Sequence, residues 1–348
     1  MRMNLQVYGR NEWNSIDIAQ WASLAEASIS INPFYEHWNL LPALRNLADD
    51  SVNLITLEND GEIQALLPVV GTKSGVFSGI KSWKHNHCFV NTPLFRTQDS
   101  LSQLICQALA RFDTTFFNLD QYAGTIDFIS DGSHGTSVFN RACQPLDISW
   151  DEFLSGHSKR LQSEYRRILR KADSNRIQYS ESSPDDSPLE WLDAFSRLEG
   201  SGWKGSNNSA ITCNDRVHQY YLDVIENGWS QGKMQFQKLC QDDSPVAISF
   251  RCVSREHCYC LKTCFDEGLR GLSPGIVLEL NNLKSLFDSE HVFADSCSSP
   301  DNAMLNRLFL DRLPVASTVI YGSTISGRFA NLTYGSWRAY KYRDQGAP

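Results

Sequence analysis

Apolar residues along the chain recur with two periods, near two and near 3.6, and the order in which these alternate is used twice. The first round opens with a short strand at Asn4–Tyr8. A helix follows with Trp21, Leu24 and Ala25 on one stripe, then Asn32-Pro33-Phe34, then a helix carrying Trp38, Leu41, Leu44 and Leu47. Val52–Leu57 and Ile63–Val70 are apolar runs joined by Asn59-Asp60-Gly61, the signal of a tight hairpin. A strand-like stretch covers Ile80–Val90, and a helix at Leu101–Phe112 leads to a strand at Phe116–Leu119.

The second round begins with a strand at Ile177–Ser180 and a helix at Leu189–Leu198 whose stripe is Trp191, Phe195 and Leu198. The turn Gly200-Ser201-Gly202-Trp203-Lys204-Gly205 stands where Asn32-Pro33-Phe34 stood before. The helix His218–Glu226 and a three-strand meander (Met234–Cys240, Val246–Val253, Cys258–Phe265) come next. A Gly-rich segment, Asp266 to Gly275, opens the helix Ile276–Phe287. The strand His291–Asp295, the helix Asn302–Leu310 and the strand Val315–Tyr321 complete the half. This predicts an α/β protein of two halves, residues 1–150 and 151–348, each a mixed β-sheet flanked by helices. Between the meanders, Leu161, Tyr165, Ile168 and Ala172 form the apolar stripe of a helix placed at residues 157–174, at the start of the second half.

Composition narrows the class. The 348 residues are 41% hydrophobic, which fits about two globular domains and excludes whole-chain disorder. No run approaches the ~18 apolar residues of a membrane span. A net charge of −8 argues against a DNA-binding protein. The exception is His157 to Arg176, where seven basic residues face two acidic ones. The ten scattered cysteines include no C-x-x-C pair, and with no apolar signal segment at the start the expectation is a cytoplasmic protein with reduced thiols. His257, Cys258, Cys260 and Cys264 lie close together in a strand without zinc-site spacing, so no metal is expected.

The strongest local chemistry is the segment after the meander's third strand. A strand, then a glycine-rich turn, then a helix N-terminus is a phosphate cradle. Arg270 offers a cation, Gly271 and Gly275 allow close backbone approach, Ser273 is placed to cap, and Pro274 suits the first helical turn. The alternative is a plain turn. In Gly202-Trp203-Lys204-Gly205, Trp203 is suited to stack on a substrate or to anchor the loop, and Lys204 to bind phosphate or carboxylate. Glu199, Asp266 and Asp295 are candidate bases, Tyr259 and Tyr321 candidate proton donors. Lys262 is an unusual mid-strand lysine. Strict alternation puts it on one face with Cys260 and Cys264, and Tyr259, Leu261 and Thr263 on the other. Arg160, Arg167 and Lys171 make one flank of the basic helix, either a phosphate-binding face or a solvated one. There is no G-x-S-x-G elbow, P-loop or H-E-x-x-H.

These stretches resemble the CelD-type, BioF-like acetyltransferase domain family, a branch of the acyl-CoA N-acyltransferase (GNAT) superfamily related to the Fem aminoacyltransferases. The matching residues are Asn32-Pro33-Phe34 with Trp38, Leu66-Leu67-Pro68, the Lys159–Lys171 helix, Leu198-Glu199-Gly200-Ser201-Gly202-Trp203-Lys204-Gly205, Tyr259–Lys262, Phe265-Asp266-Glu267, Leu272-Ser273-Pro274-Gly275, and Asp295-Ser296-Cys297 with Pro300-Asp301. The resemblance implies a tandem GNAT fold whose first half lacks a donor site. It implies transfer of an acetyl or longer acyl group from acetyl-CoA or another acyl-CoA to an amine or hydroxyl of a small, nucleotide-linked or envelope-polysaccharide-related acceptor. Glu199, Lys262 and Asp266 are then the candidate catalytic residues. Arg270, Gly271, Ser273, Pro274 and Gly275 would hold the donor. Trp203, Lys204, Arg160, Arg167 and Lys171 would hold the acceptor. Two other readings keep the fold: a Fem-like transferase using aminoacyl-tRNA, and a non-catalytic scaffold in envelope polysaccharide synthesis.

Overall fold

The computed structural model describes residues 3–123 and 133–341, with side chains at 133–138 and 334–341 excepted. The elements in chain order are β1 (Asn4–Tyr8), α1 (Ile18–Ala27), α2 (His37–Leu47), β2 (Asn53–Asn59), β3 (Glu62–Ser74), β4 (Phe77–Ser82), β5 (Leu94–Phe95), α3 (Gln98–Arg111) and β6 (Phe116–Ala123). Then come β7 (Ser133–Pro145), α4 (Trp150–Gly156), α5 (Lys159–Ser174), β8 (Ile177–Glu181), α6 (Pro188–Ser201), α7 (Trp203–Ser206), α8 (Asp215–Trp229), β9 (Met234–Gln241), β10 (Ser244–Ser254) and β11 (His257–Phe265). The chain closes with α9 (Pro274–Phe287), β12 (Phe293–Asp295), α10 (Ala303–Leu308), β13 (Asp311–Tyr321) and α11 (Ile325–Lys341).

Two compact units result. The first comprises Met1–Leu44, Ala48–Phe139 and Pro314–Pro348, the second Arg45–Leu47 and Asn140–Leu313. The sheet of the first unit runs β1-β2-β3-β4-β6-β13, with β5 beside β3. That of the second runs β8-β9-β10-β11-β12-β7. In both, an antiparallel meander meets a parallel neighbour: β4 with β6, and β11 with β12. Helices cover the sheets, so the α/β, mixed-sheet architecture repeats as its sequence order does.

The hairpin turns form where they are expected. Asp60 and Gly61 take φ of 51° and 82°, the left-handed pair of a tight hairpin, and Asp242 and Asp243 repeat the pattern at 47° and 63°. The last strand departs from expectation. Val315–Tyr321 does not complete the second half but pairs antiparallel with β6, Ile320 opposite Phe117 and Thr318 opposite Leu119. Without it β6 would present an unpaired edge, and docking there buries Val315 and Ile320 of the strand itself. The stretch Ile80–Val90 is strand only as far as Ser82. A separate short helix, α4, capped by Ser149, precedes the basic helix, which forms as α5, one helix capped by Ser158. Its stripe is as read: Tyr165, Ile168 and Ala172 are buried and Leu161 half-buried.

Candidate functional site

Ser187 caps α6 and Pro188 takes its first turn. The stripe Trp191, Phe195, Glu199 turns one face to the sheet, with Phe195 edge-on to Phe250 of β10 at 5.0 Å. Glu199, one turn past Phe195, therefore carries a carboxylate into an apolar layer, and its side chain is 0% exposed. Such a charge requires partners. Glu199 Oε1 accepts from Lys204 Nζ at 3.0 Å and from Lys262 Nζ at 3.2 Å, and Oε2 accepts from the Ile211 amide at 2.8 Å.

Lys204 arrives because the chain folds back on itself. The tight glycine turn expected here is the end of α6, which stops at Gly202, followed by the helical turn α7. A Cβ on Gly205 would sit 1.9 Å from the Gly200 carbonyl oxygen, so this approach is open to glycine alone. The Trp203 amide donates to Glu267 Oε1 at 3.1 Å, and Lys204 Nζ donates a second bond to the Thr263 carbonyl of β11 at 3.2 Å. Trp203 is 53% exposed, so it does not anchor the turn in the core.

Lys262 arrives through a bulge. Phe250 pairs with Lys262, yet Arg251 pairs with Cys260, leaving Leu261 as the extra residue. Alternation reverses there, which corrects the face assignment. Cys258 and Cys260 pack with Leu280 and Leu283 of α9, and Thr263 Oγ1 donates to Glu279 of α9 at 2.7 Å. Lys262 and Cys264 face α6: Lys262 reaches Glu199, and Cys264 Sγ contacts the Phe195 carbonyl at 3.7 Å. Lys262 Nζ also stands 5.8 Å from the ring centre of Tyr221 on α8. The cysteines are thus divided between two faces, and among the described residues no grouping of His, Cys, Asp and Glu could hold a metal ion.

Burial alone would raise the Glu199 carboxyl. The Lys262 and Lys204 ammoniums and the Ile211 amide outweigh it and hold the group below the usual carboxylate range. Lys262 shifts the other way: burial pulls it below the ordinary lysine value, with Glu199 opposing and Lys204 adding to the shift. On the far side of the sheet, burial raises the Glu279 carboxyl against its bonds to Thr263 and Asn282.

The segment after β11 is a 3-10 helix, Glu267–Leu272, feeding α9. Asp266 caps it, accepting the Gly268 amide at 2.8 Å, and so has a local structural partner rather than a place beside Lys262. Ser273 does not cap: it sits at φ 54°, outside the extended region a capping residue ordinarily takes, and makes no side-chain cap bond. Pro274 occupies the first turn as expected. Gly275 is buried, and a Cβ there would lie 3.2 Å from the Phe265 ring. Gly271 has open space around it, and its carbonyl accepts from Lys171 Nζ at 2.9 Å. Arg270, Arg160 and Arg167 are exposed.

Across this segment the sheet parts. The β11–β12 pairing runs only from His257/Phe293 to Tyr259/Asp295, after which Ser296 bonds to Ala142 on β7. Residues 260–265 therefore have β10 on one side and no β12 partner on the other, and Lys204 meets the open edge at Thr263. The first unit differs. Past the β4–β6 pairing, the Asn91 amide donates to the Gln121 carbonyl and the Ala123 amide to Thr92 Oγ1 at 2.9 Å, so residues 83–93 lie against the end of β6. There α3 begins with a closed capping box of Thr97 and Ser100.

Three other candidates are placed elsewhere. Asp295 is buried on Arg141 at 3.1 Å and on the Cys297 amide at 2.8 Å. Tyr321 belongs to the first unit, its ring 6.4 Å from Phe116. Tyr259 is buried at the end of the β11–β12 pairing. Sequence reasoning missed three participants. Tyr221 is legible only as part of the buried stripe of α8, while the Thr263 carbonyl and the Ile211 amide are main-chain groups that no residue type announces.

The architecture, α/β with a mixed sheet and flanking helices, is that of the GNAT fold. Residues 158–292 match the family described as Acetyltransferase (GNAT) domain. The chain superposes on the crystal structure of FemX with a TM-score of 0.58 at 9% identity, covering 95% of this chain and 99% of that one. It superposes equally, at 0.58 and 11% identity, on the C-terminal domain of a putative lysylphosphatidylglycerol synthetase from Agrobacterium fabrum, covering 92% and 96%. For L-PGS from Bacillus licheniformis the TM-score is 0.57 at 11% identity, covering 91% and 94%. At such identities the likeness is one of fold. No curated protein matches the chain by sequence. No helix among the described residues is long and apolar enough to cross a membrane.

Proposed function

We propose that the chain is a cytoplasmic acyltransferase that moves an acetyl or longer acyl group from coenzyme A to an amine or hydroxyl of a small or envelope-related acceptor. The observation that carries this reading is the parting of β11 from β12, with the Glu267–Leu272 turn and the α9 N-terminus following directly on β11. In this reading the open β11 edge receives the thioester, and the α9 N-terminus with Arg270 receives its phosphates. The acceptor nitrogen or oxygen bonds to the thioester carbonyl carbon and the C–S bond breaks. The departing sulfur takes up the proton that the acceptor loses. Glu199, held ionised by two lysines, is a weak base, so it orients Lys204 and Lys262 rather than abstracting the proton. In this reading the first unit binds no donor, which the bonding of Asn91 and Thr92 to the end of β6 supports.

Calorimetry with acetyl-CoA tests this. Micromolar binding by the intact chain, weakened at least tenfold by Arg270→Glu, is expected. Absence of binding at millimolar acetyl-CoA overturns the reading. A second reading is favoured by the exposed arginines of α5 (Arg160, Arg166, Arg167, Arg170): an aminoacyl-tRNA donor. Binding of charged tRNA with a steep inverse dependence on salt, together with indifference to acetyl-CoA, would establish it instead.

A further inference from the structure

Lys204 and Lys262 share one carboxylate. Both Nζ atoms are bound to Oε1 of Glu199, and Oε2 is taken by the Ile211 amide. No second carboxylate among the described residues pairs with either lysine. Two ammoniums on one carboxylate leave one positive charge over. That charge stands where water has little access: the side chains of Lys204 and Lys262 are 24% and 14% exposed. A partly buried, uncompensated ammonium is costly.

The donors are not used up. Each ammonium carries three N–H groups. Lys204 spends two, on Glu199 and the Thr263 carbonyl; Lys262 spends one on Glu199 and turns toward the Tyr221 ring. At least two N–H donors therefore remain, beside the open edge of β11 and next in the chain to the exposed Trp203. Glu267 and Asp266, the acidic neighbours on the adjoining turn, are engaged by the Trp203 and Gly268 amides.

We propose that Lys204 and Lys262, spread on the Glu199 carboxylate, form a subsite for an oxyanion group, carboxylate or phosphate, carried by the acceptor. The word acceptor rests on the transfer reading above; the anion subsite does not. Glu199 is then a positioning residue that keeps the two cations together and lowers the site's charge to one unit. Trp203 offers a flat apolar face to the remainder of the same molecule.

The test is a titration of the full chain with inorganic phosphate and, separately, with acetate. It is followed by the Trp203 indole N–H signal, assigned through Trp203→Phe. Saturable binding in the millimolar range is expected, at least tenfold weaker in Lys262→Met and in Lys204→Met. Glu199→Gln should bind more tightly, by threefold or more, since removing the carboxylate raises the site's charge; near-ultraviolet circular dichroism confirms its fold. Stronger binding of phosphate marks a phosphorylated acceptor, and stronger binding of acetate a carboxylated one. No saturable shift with either ion, or binding indifferent to both lysines, overturns the proposal. So does weakened binding in folded Glu199→Gln. Acetyl-CoA affinity, measured by calorimetry on the same samples, separates the two readings: if it is absent while the titration behaves as described, the transfer reading falls and the subsite stands.

Discussion

Lys171 Nζ donates to the carbonyl of Gly271 at 2.9 Å, tying the last turn of α5 to the turn that feeds α9. The lysine expected on the acceptor face thus fixes the proposed donor turn. Lys171→Met should weaken acetyl-CoA binding about three- to tenfold while changing stability by less than about 1 kcal/mol, the scale of one exposed charge-assisted bond. Calorimetry and urea unfolding check the two halves of this statement; unchanged affinity would remove Lys171 from donor binding.

Truncating Glu199 leaves two ammoniums without their shared partner. Glu199→Ala should cost about 3 kcal/mol in urea unfolding, as loss of one member of a buried charge cluster does. A loss under about 1 kcal/mol would mean that the lysines swing to solvent freely.

The same cluster sets a pH dependence. Folding lowers the Glu199 carboxyl below its ordinary value of 4.5, so its contribution is fully present above that value. It is lost as pH falls through the lower folded value. The wild-type chain should therefore lose stability more steeply than Glu199→Gln does as pH falls below that ordinary value. Parallel curves for the two proteins would contradict the assignment.

The glycines of the two motifs should behave differently. Gly205→Ala forces its Cβ into the Gly200 carbonyl and should cost about 2 kcal/mol or more. Gly271→Ala meets open space and should leave stability nearly unchanged. Ser273→Gly relieves a left-handed φ of 54° and should stabilise by up to about 1 kcal/mol. A destabilisation of that size would instead reveal a cap held by the hydroxyl.

The legible parts of this chain are those governed by local rules. Asn59-Asp60-Gly61 predicts its hairpin because the residue types supply the left-handed φ values the turn needs. The stripe of Tyr165, Ile168 and Ala172 predicts the buried face of α5 because burial follows helical period. Glu199 and Lys262 stand out in the sequence as candidates, but nothing there marks them as partners. Their meeting depends on a bulge at Leu261 that reverses the face of β11, and a bulge leaves no mark in an alternating pattern. Lys204 joins them through contact between Gly200 and Gly205, which follows from how two short helices stack rather than from either residue. Ser273 has the residue type of a cap and does not act as one, because residue preference says nothing of φ.

The pairing of β13 with β6 has a consequence for synthesis on the ribosome. Everything else in the first unit's sheet has been translated by residue 123, but its closing strand lies at Asp311–Tyr321. At roughly 5–20 residues per second, the nascent chain spends on the order of ten seconds or more with the β6 edge unpaired. The first unit is made first and finished last. A fragment ended at the sequence midpoint therefore presents a sticky sheet edge to its neighbours.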